Sequence, residues 1–286
     1  MDDIQSSYDY CRRIARTRAG NFYYSFIVLP AERRQAMYAV YAFMRYCDDI
    51  VDETGAPDDK RAGLSAWRRL LAQAYRLPDG VSHPILPAFR DTVQRFAIPQ
   101  SCFEAIIDGA EMDLDLTRYR TFDALREYCY RVASAVGLVC IHIFGFSGGD
   151  QACRYAESCG LAFQLTNILR DIPEDAQMGR IYLPQEDLED FSFTEDDIRC
   201  GVATPDFRRL MQFEVERAHG YYREALPLIA LVHPSSRACL SAMIRIYWQH
   251  LYEIERRNYD VFGPRIRLPA WKKLAIAAGA IVRKRV

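Results

Sequence analysis

Residues 38–53 (YAVYAFMRYCDDIVDE) contain neither glycine nor proline, and their polar residues recur at helical spacing. Tyr41, Arg45, Asp48 and Asp52 fall at positions i, i+4, i+7 and i+11, so a helix places all four on one face. The apolar residues lie mainly on the other sides, as in a helix whose remaining surface is packed. The segment therefore predicts a helix that presents one polar face of mixed charge.

The acidic end of this segment crowds Asp48, Asp49 and Asp52 into five positions. Their mutual repulsion raises the pKa of one or more of them unless cations lie between them. Mg2+ prefers hard oxygen ligands, usually one or two carboxylates, with water and substrate phosphate completing its octahedron. The motif alone fits an acidic helix end in solvent better than a metal site, so the metal hypothesis needs a second observation.

A second acidic face supplies that observation in residues 164–175, QLTNILRDIPED. Gln164, Asn167, Asp171 and Asp175 fall at i, i+3, i+7 and i+11, again on one helical face. Arg170 stands beside Asp171 much as Arg45 stands near Asp48. The two faces predict the two sides of one site, in which a cluster of three Mg2+ ions could hold a diphosphate.

Composition excludes several other classes of protein. The chain has 37 basic and 38 acidic residues, so no overall positive field favours nucleic acid, and none is expected as a partner. Its nine cysteines are odd in number and form no CxxC pair, which predicts reduced core thiols in a cytoplasmic protein rather than zinc ligands or disulfides. No glycine-rich GxGxxG motif follows a strand, so a nicotinamide-binding unit is not predicted.

Helical periodicity dominates the chain, and no alternating strand pattern with hairpin signals occurs. The pattern predicts an all-α protein, one domain over residues 1–286, with roughly ten helices around a central cavity. Residues 122–146 and 151–175 each read as one long helix, the second carrying Pro173 near its end. A proline there predicts a kink or an early end of the helix.

The carboxyl-terminal residues 274–282 (LAIAAGAIV) form a short apolar run between Lys272–Lys273 and the basic residues 283–285. Nine residues cannot span a bilayer. A short helix flanked by basic residues is suited to rest on an anionic membrane surface, which here would be the inner face of the cell membrane. The alternative is an ordinary terminal helix docked on the protein.

Two longer stretches of sequence, which include the second acidic face, resemble a known protein family. Residues 128–143 (YCYRVASAVGLVCIHI) and residues 160–184 (GLAFQLTNILRDIPEDAQMGRIYLP) both resemble signatures of the squalene and phytoene synthase family, and the resemblance covers nearly the whole chain. Within the family, residues 22–30, 108–119 and 130–146 look most like the bacterial presqualene diphosphate synthases. Phytoene and dehydrosqualene synthases are close relatives.

The resemblance implies an isoprenoid-synthase-type helical bundle and a Mg2+-dependent, head-to-head condensation of two prenyl diphosphates. It favours farnesyl diphosphate as substrate and presqualene diphosphate as product. The alternatives are a phytoene or dehydrosqualene synthase and a non-catalytic assembly factor of the same family. A terpene cyclase that acts on one diphosphate is disfavoured by residues 128–143. These residues do not fix prenyl chain length or oligomeric state.

The resemblance also assigns expected roles to individual residues. The expected metal ligands are Asp48, Asp49, Asp52, Asp171 and Asp175. The expected diphosphate-binding residues are Arg45, Gln164, Asn167, Arg180, Arg265 and Arg267. Tyr41, Tyr130 and Tyr247 are expected near the diphosphates or the cationic intermediates, with a core tyrosine as the alternative for each.

Overall fold

The computed structural model describes residues 2–52, 54–76 and 83–282. Within these residues the chain forms α-helices, one short π-helical segment and two isolated β-bridges, Arg118 with Ile181 and Phe146 with Val232. The helices are α1 (Asp2–Arg18), α2 (Gly20–Phe26), α3 (Ala31–Asp52), α4 (Pro57–Tyr75), α5 (Leu86–Arg95), α6 (Gln100–Asp115), α7 (Phe122–Cys129), α8 (Ala135–Phe144), α9 (Asp150–Arg170), α10 (Ile172–Gln177), α11 (Gln185–Asp190), α12 (Glu195–Cys200), α13 (Pro205–Ala225), α14 (Leu228–Leu231), α15 (Arg237–Arg256) and α16 (Ala270–Val282).

This helix list exceeds the predicted number because α2, α10, α11, α12 and α14 have only four to seven residues each. Such short helices carry too little periodicity to be read from sequence. The all-α prediction itself is confirmed.

The first acidic helix, α3, starts after Pro30 and runs 22 residues to Asp52 without a break. Nine of its residues are buried, and they include Phe43 and Cys47. It packs against α1, α4, α5, α6 and α8, and one side of it is left to border a cavity.

The second acidic helix, α9, lies at the centre of the fold and packs against α13, α8, α15 and the π-helical segment. Two glycines allow its backbone to approach its neighbours closely. A Cβ on Gly160 would lie 2.5 Å from the carbonyl oxygen of Ala133, and a Cβ on Gly137 would lie 2.5 Å from that of Ala156. These contacts fix the position of α9 beside the segment that carries residues 128–143.

Helix α9 ends at Arg170, and α10 begins at Ile172 with Pro173 in its first turn. A proline in a first helical turn loses no intrahelical hydrogen bond, since that N–H has no helical partner. The predicted early end is therefore confirmed. The break keeps Asp171 and Asp175 one turn apart, because the Asp175 amide donates to the Asp171 carbonyl at 2.9 Å.

The stretch predicted as one helix over residues 122–146 is interrupted by the π-helical segment Tyr130–Ser134 between α7 and α8. By length and composition Phe122–Phe144 could cross a membrane, but half of it is buried inside the fold, as expected for a core helix. A π-helical segment adds one residue to a turn, so side chains beyond it are rotated from the faces that a 3.6-residue period predicts.

Candidate active site

A cavity of about 210 Å3 lies between α2, α3, the π-helical segment, α8, α9 and α15. Its wall is mostly apolar and includes Phe22, Phe26 and Phe163. Its polar lining residues are Tyr41 and Asp48 of the first acidic face, Gln164 and Asn167 of the second, and Tyr247 of α15.

A second cavity of about 270 Å3 continues the first. Asp48 and Gln164 line both cavities, and Asp52 and Asp113 line the second. The two acidic helices therefore border one continuous space that is apolar in one part and acidic in the other. The second face reaches this space through Gln164 and Asn167. Asp171 and Asp175 line neither cavity, and Asp175 lines a small separate pocket with Arg180.

Arg45 holds the first acidic face together. Its Nε donates to Asp49 at 2.8 Å, and its guanidinium also contacts Asp49 through Nη2. Asp52 lies 3.5 Å and Asp48 4.0 Å from the same guanidinium. Asp49 is thus neutralised by a neighbour one turn away, whereas Asp48 and Asp52 keep their carboxylates directed at the cavity they line.

Asp48 is the carboxyl group on this face whose ionised form is least favoured. Its side chain is 58% exposed, but the exposed part faces a concave cavity that is surrounded by protein. Desolvation raises the pKa of Asp48 to about 7, opposed by Arg45 and reinforced by Asp52 and Asp49. A cation bound between these carboxylates would favour the ionised form of Asp48.

The second acidic face begins with a doubly paired Asp171. Arg170 donates to it at 2.8 and 2.5 Å, and Arg265 contacts it at 3.1 and 2.9 Å. Burial opposes ionisation, but the two guanidinium groups outweigh it and hold the pKa of Asp171 below its usual value. Desolvation raises the pKa of Asp175 to about 7, with Asp171 adding to the rise.

Asp113, on α6, joins the two faces and was not singled out from the sequence. Its carboxylate accepts hydrogen bonds from the hydroxyl groups of Tyr128 at 3.2 Å and Tyr182 at 3.3 Å, and its carbonyl accepts one from Arg180 at 3.3 Å. Burial raises its pKa, opposed by Arg180. Asp108, on the same helix, instead pairs with Arg68 of α4 at 2.6 Å.

The tyrosine prediction for residues 128–143 needs correction. Tyr130 is 38% exposed and does not line either cavity, whereas Tyr128 is 3% exposed, lines the acidic cavity and bonds Asp113. Side chains two positions apart on a helix point about 200° apart, so only one of the pair can face the site. The sequence could have indicated Tyr128, because Val132 and Val136 follow it at i+4 and i+8 and both line the cavity.

The other two predicted tyrosines lie at the cavity. Tyr247 is 4% exposed and stacks on Phe163 with ring centroids 4.3 Å apart. Burial raises the pKa of Tyr247 to about 12, and an Asn167 hydrogen bond opposes the rise. Burial likewise raises the pKa of Tyr41 to about 12. Both phenols are therefore neutral at physiological pH, and they border the apolar part of the site.

The predicted diphosphate-binding arginines divide into two groups. Arg45, Arg180 and Arg265 all contact acidic residues or the Asp113 segment, as described above. Arg267 is exposed, and no contact in the described part of the chain ties it to either acidic face. Arg265 therefore contacts the second acidic face and Arg267 does not, although the sequence predicts the same role for both.

Among the described residues, no three Asp, Glu, His or Cys side chains converge tightly enough to hold a metal ion by themselves. The donor set nevertheless fits Mg2+, which takes one or two carboxylates and completes its shell with water and substrate phosphate. Burial, together with neighbouring carboxylates, raises the pKa values of Asp48 and Asp175, and a bound cation would favour their ionised forms. The residues are thus suited to metal ions that share a bound diphosphate.

Comparison with curated proteins finds relatives over almost the full chain. A phytoene synthase of Arthrospira platensis is 39% identical, with 98% of this chain and 94% of that protein aligned. A phytoene synthase of Mycobacterium tuberculosis is 40% identical, with 98% and 92% aligned.

Solved structures show the same fold. A dehydrosqualene synthase in complex with a ligand superposes with a TM-score of 0.90 at 28% identity, covering 99% of this chain and 98% of that one. The squalene synthase HpnC from Alicyclobacillus acidocaldarius superposes with a TM-score of 0.84 at 32% identity, covering 91% and 97%. The fold is that of the isoprenoid synthases, as predicted.

The family model described as squalene/phytoene synthase matches residues 3–272. Together with the relatives and with two acidic faces on one cavity, this match identifies the chain as a member of the squalene/phytoene synthase family, the prenyltransferases that join two prenyl diphosphates head to head.

Proposed function

We propose that this protein is a phytoene synthase, which joins two geranylgeranyl diphosphates to give a C40 hydrocarbon. The observation that carries the proposal is the name shared by relatives that are 39–40% identical over more than nine tenths of both chains. The sequence signatures favoured presqualene diphosphate as product and gave phytoene as the alternative. The relatives favour that alternative.

The acidic residues would bind the metal ions in this reaction. Asp48, Asp52 and Asp175 are the best placed to hold Mg2+, because their carboxylates are less fully paired with arginine than Asp49 and Asp171. Bound Mg2+ would neutralise the diphosphate as it leaves the allylic carbon. Arg45, Arg180 and Arg265 would bind the same diphosphate, since guanidinium offers a fixed fork of donors to phosphate oxygens.

The apolar part of the cavity would receive the prenyl chains and exclude water from a carbocation. Phe22, Phe163 and Tyr247 present aromatic rings there. An aromatic face stabilises a desolvated cation by about 2 kcal/mol. Asp113 would hold the Tyr128 hydroxyl at the junction between the apolar and acidic parts, close to where the leaving group and the cation separate.

The overall reaction balances without a reductant. The first diphosphate leaves, the C2=C3 bond of the second substrate attacks the allylic cation, and loss of a proton closes a cyclopropane. The second diphosphate then leaves, and loss of a second proton gives a hydrocarbon with a conjugated triene at its centre. Two C20 diphosphates therefore yield one C40 hydrocarbon, two diphosphates and two protons.

Presqualene diphosphate synthesis remains the second candidate because the squalene synthase HpnC is 32% identical over most of both chains. In that case the substrate is farnesyl diphosphate and the product retains one diphosphate. The two candidates use the same acidic site and differ in chain length and in the final step.

Product analysis distinguishes the candidates. Purified protein is incubated with Mg2+ and either geranylgeranyl or farnesyl diphosphate, without NADPH, and products are identified by mass spectrometry before and after phosphatase. The proposal predicts a C40 hydrocarbon with a central conjugated triene, formed from geranylgeranyl diphosphate without phosphatase. A C30 cyclopropyl alcohol released only by phosphatase would favour the second candidate, and no product from either substrate would favour a non-catalytic relative.

A further inference from the structure

The outward face of α16 is apolar. Trp271, Leu274, Ala275, Ala278 and Ile281 are all exposed and follow one another at i, i+3, i+4, i+7 and i+10, which is one side of a helix. Trp271 is 70% exposed and Leu274 47%. A surface helix of a globular protein normally turns such a stripe toward the core. Here the largest apolar side chains point away from it.

The inward face of α16 is already docked by small residues. Ala277 and Ala280 form a buried cluster with Ala238 and Ala242 of α15, and Val28 packs against it. Lys273 lies 5.4 Å from the centre of the Tyr24 ring of α2. The helix is therefore anchored to the protein through alanines, and its outer stripe is left for another surface.

A groove of about 390 Å3 adjoins this region and carries positive charge. Its charged lining residues are Arg12, Arg34 and Asp9. Ile27, which is 42% exposed, also lines the groove, and the next residue, Val28, packs against the alanine cluster under α16. Arginines and exposed apolar side chains thus occur on adjoining surfaces. The basic residues 283–285 that follow α16 lie outside the described residues.

We propose that the outer face of α16, with Ile27 and the groove arginines, seats the protein on an anionic phospholipid bilayer. Interfacial helices combine a large apolar stripe with basic groups that attract anionic headgroups, and this surface has both. A second copy of the chain fits the surface less well. A 13-residue helix is about 20 Å long and about 10 Å wide, so its face offers roughly 200 Å2 against about 800 Å2 per partner in a stable interface.

Two helices, α2 and α15, lie between α16 and the apolar cavity. Helix α16 packs on α2 and α15, and the opposite sides of these two helices carry Phe22, Phe26, Met243 and Tyr247 into the apolar cavity. Prenyl chains and a hydrocarbon product partition into lipid. A bilayer under α16 would therefore lie next to the helices that enclose the cavity. The binding itself does not depend on the proposed product.

Vesicle flotation tests the proposal without substrate. Vesicles of phosphatidylcholine and phosphatidylglycerol in equal parts are compared with pure phosphatidylcholine, for the parent protein and for Trp271→Ser/Leu274→Ser. The parent is expected to float with the anionic vesicles, less so at high salt, and the double variant to bind at least about tenfold more weakly. Trp271 is the exposed one of three tryptophans, so binding should also shift its emission to the blue.

The matched control is Val202→Ser/Leu226→Ser, which removes two exposed apolar side chains elsewhere and should leave binding unchanged. Both double variants should keep the parent circular dichroism and thermal midpoint, because the replaced side chains are exposed. Equal binding by the parent and the α16 variant, or no binding by the parent at low salt, would overturn the proposal. A parent dimer that the α16 variant abolishes would assign the face to self-association instead.

Discussion

Asp171 and Asp175 lie one helical turn apart, yet their carboxyl groups meet opposite surroundings. Two arginines bind Asp171 and lower its pKa, whereas burial and the neighbouring carboxylate raise the pKa of Asp175 to about 7. On the first face Arg45 donates to Asp49, whereas burial raises the pKa of Asp48 to about 7. Each face therefore offers one carboxylate hydrogen-bonded to arginine and one whose pKa is raised by burial.

Arg265 and Arg267 give a matched test of this arrangement. Arg265→Ala removes the guanidinium 2.9 Å from Asp171 and 3.4 Å from Glu174, and is expected to lower kcat/KM by about tenfold to a hundredfold, the cost of one charged hydrogen-bonding group. Arg267→Ala should change it less than about twofold, because no contact in the described part of the chain ties Arg267 to either acidic face. Steady-state kinetics with the prenyl diphosphate measures both, and equal losses would contradict the assignment.

Tyr128 and Tyr130 provide a second matched pair. Tyr128→Phe removes the hydroxyl that donates to Asp113, which is expected to lower kcat by about tenfold or more, since a buried carboxylate loses a partner. Tyr130→Phe should leave kcat within about twofold. Single-turnover rates and circular dichroism distinguish a chemical effect from misfolding. A larger loss in Tyr130→Phe would restore the prediction made from sequence.

At the scale of elements, the site depends on how closely α9 approaches the π-helical segment. Gly160 has no space for a side chain, since an added Cβ would lie 2.6 Å from the Cα of Ser134 as well as 2.5 Å from the Ala133 carbonyl. Both neighbours are backbone atoms, which cannot move aside as a flexible side chain would. The glycine thus sets the distance between the helix that carries Asp171 and the segment that follows Tyr128.

Gly160→Ala is expected to destabilise the fold by about 1–3 kcal/mol, the usual cost of overpacking. Gly220→Ala is the control, because its Cβ would meet only the Arg223 side chain at 4.0 Å within α13. That substitution should stabilise the protein by about 0.5–1 kcal/mol through helix propensity. Urea unfolding followed by circular dichroism measures both, and a neutral Gly160→Ala would show that the contact is not tight.

Sequence patterns predicted the long helices and both acidic faces, because a 3.6-residue period needs no tertiary information. They missed Asp113, since it lies on a different side of α6 from Asp108, whose charges pair at the surface. Tyr130 was assigned by the family resemblance, whereas the helical spacing of Tyr128 with Val132 and Val136 indicates Tyr128. Arg265 and Arg267 could not be separated, because the segment between α15 and α16 has no helical period.

At the scale of the whole molecule, the cavity has an acidic part and an apolar part. Three carboxylates, Asp48, Asp52 and Asp113, line one part together with Tyr128 and Gln164, and mostly aromatic and aliphatic side chains such as Phe22 and Phe163 line the other. A prenyl diphosphate has the same division between its charged head and its apolar chain. The substrate can therefore place both ends in matching surroundings at once.

Metal removal tests the charged part of this space in the intact enzyme. EDTA is expected to stop turnover, and added Mg2+ to restore it, because arginines alone do not balance the carboxylates of Asp48 and Asp175. Product formation before and after readdition is the measurement. Turnover that persists through chelation would exclude a metal-assisted departure of the diphosphate.

The most direct test asks whether the two acidic faces form one site. Isothermal titration calorimetry measures the binding of inorganic diphosphate with and without Mg2+ to the parent, Asp52→Asn, Asp175→Asn and the double variant. If both faces share the same metal ions, each single variant should lose most of the Mg2+-dependent affinity, and the double variant should lose little more. Losses that simply add, or an affinity that either single variant retains in full, would contradict a shared site.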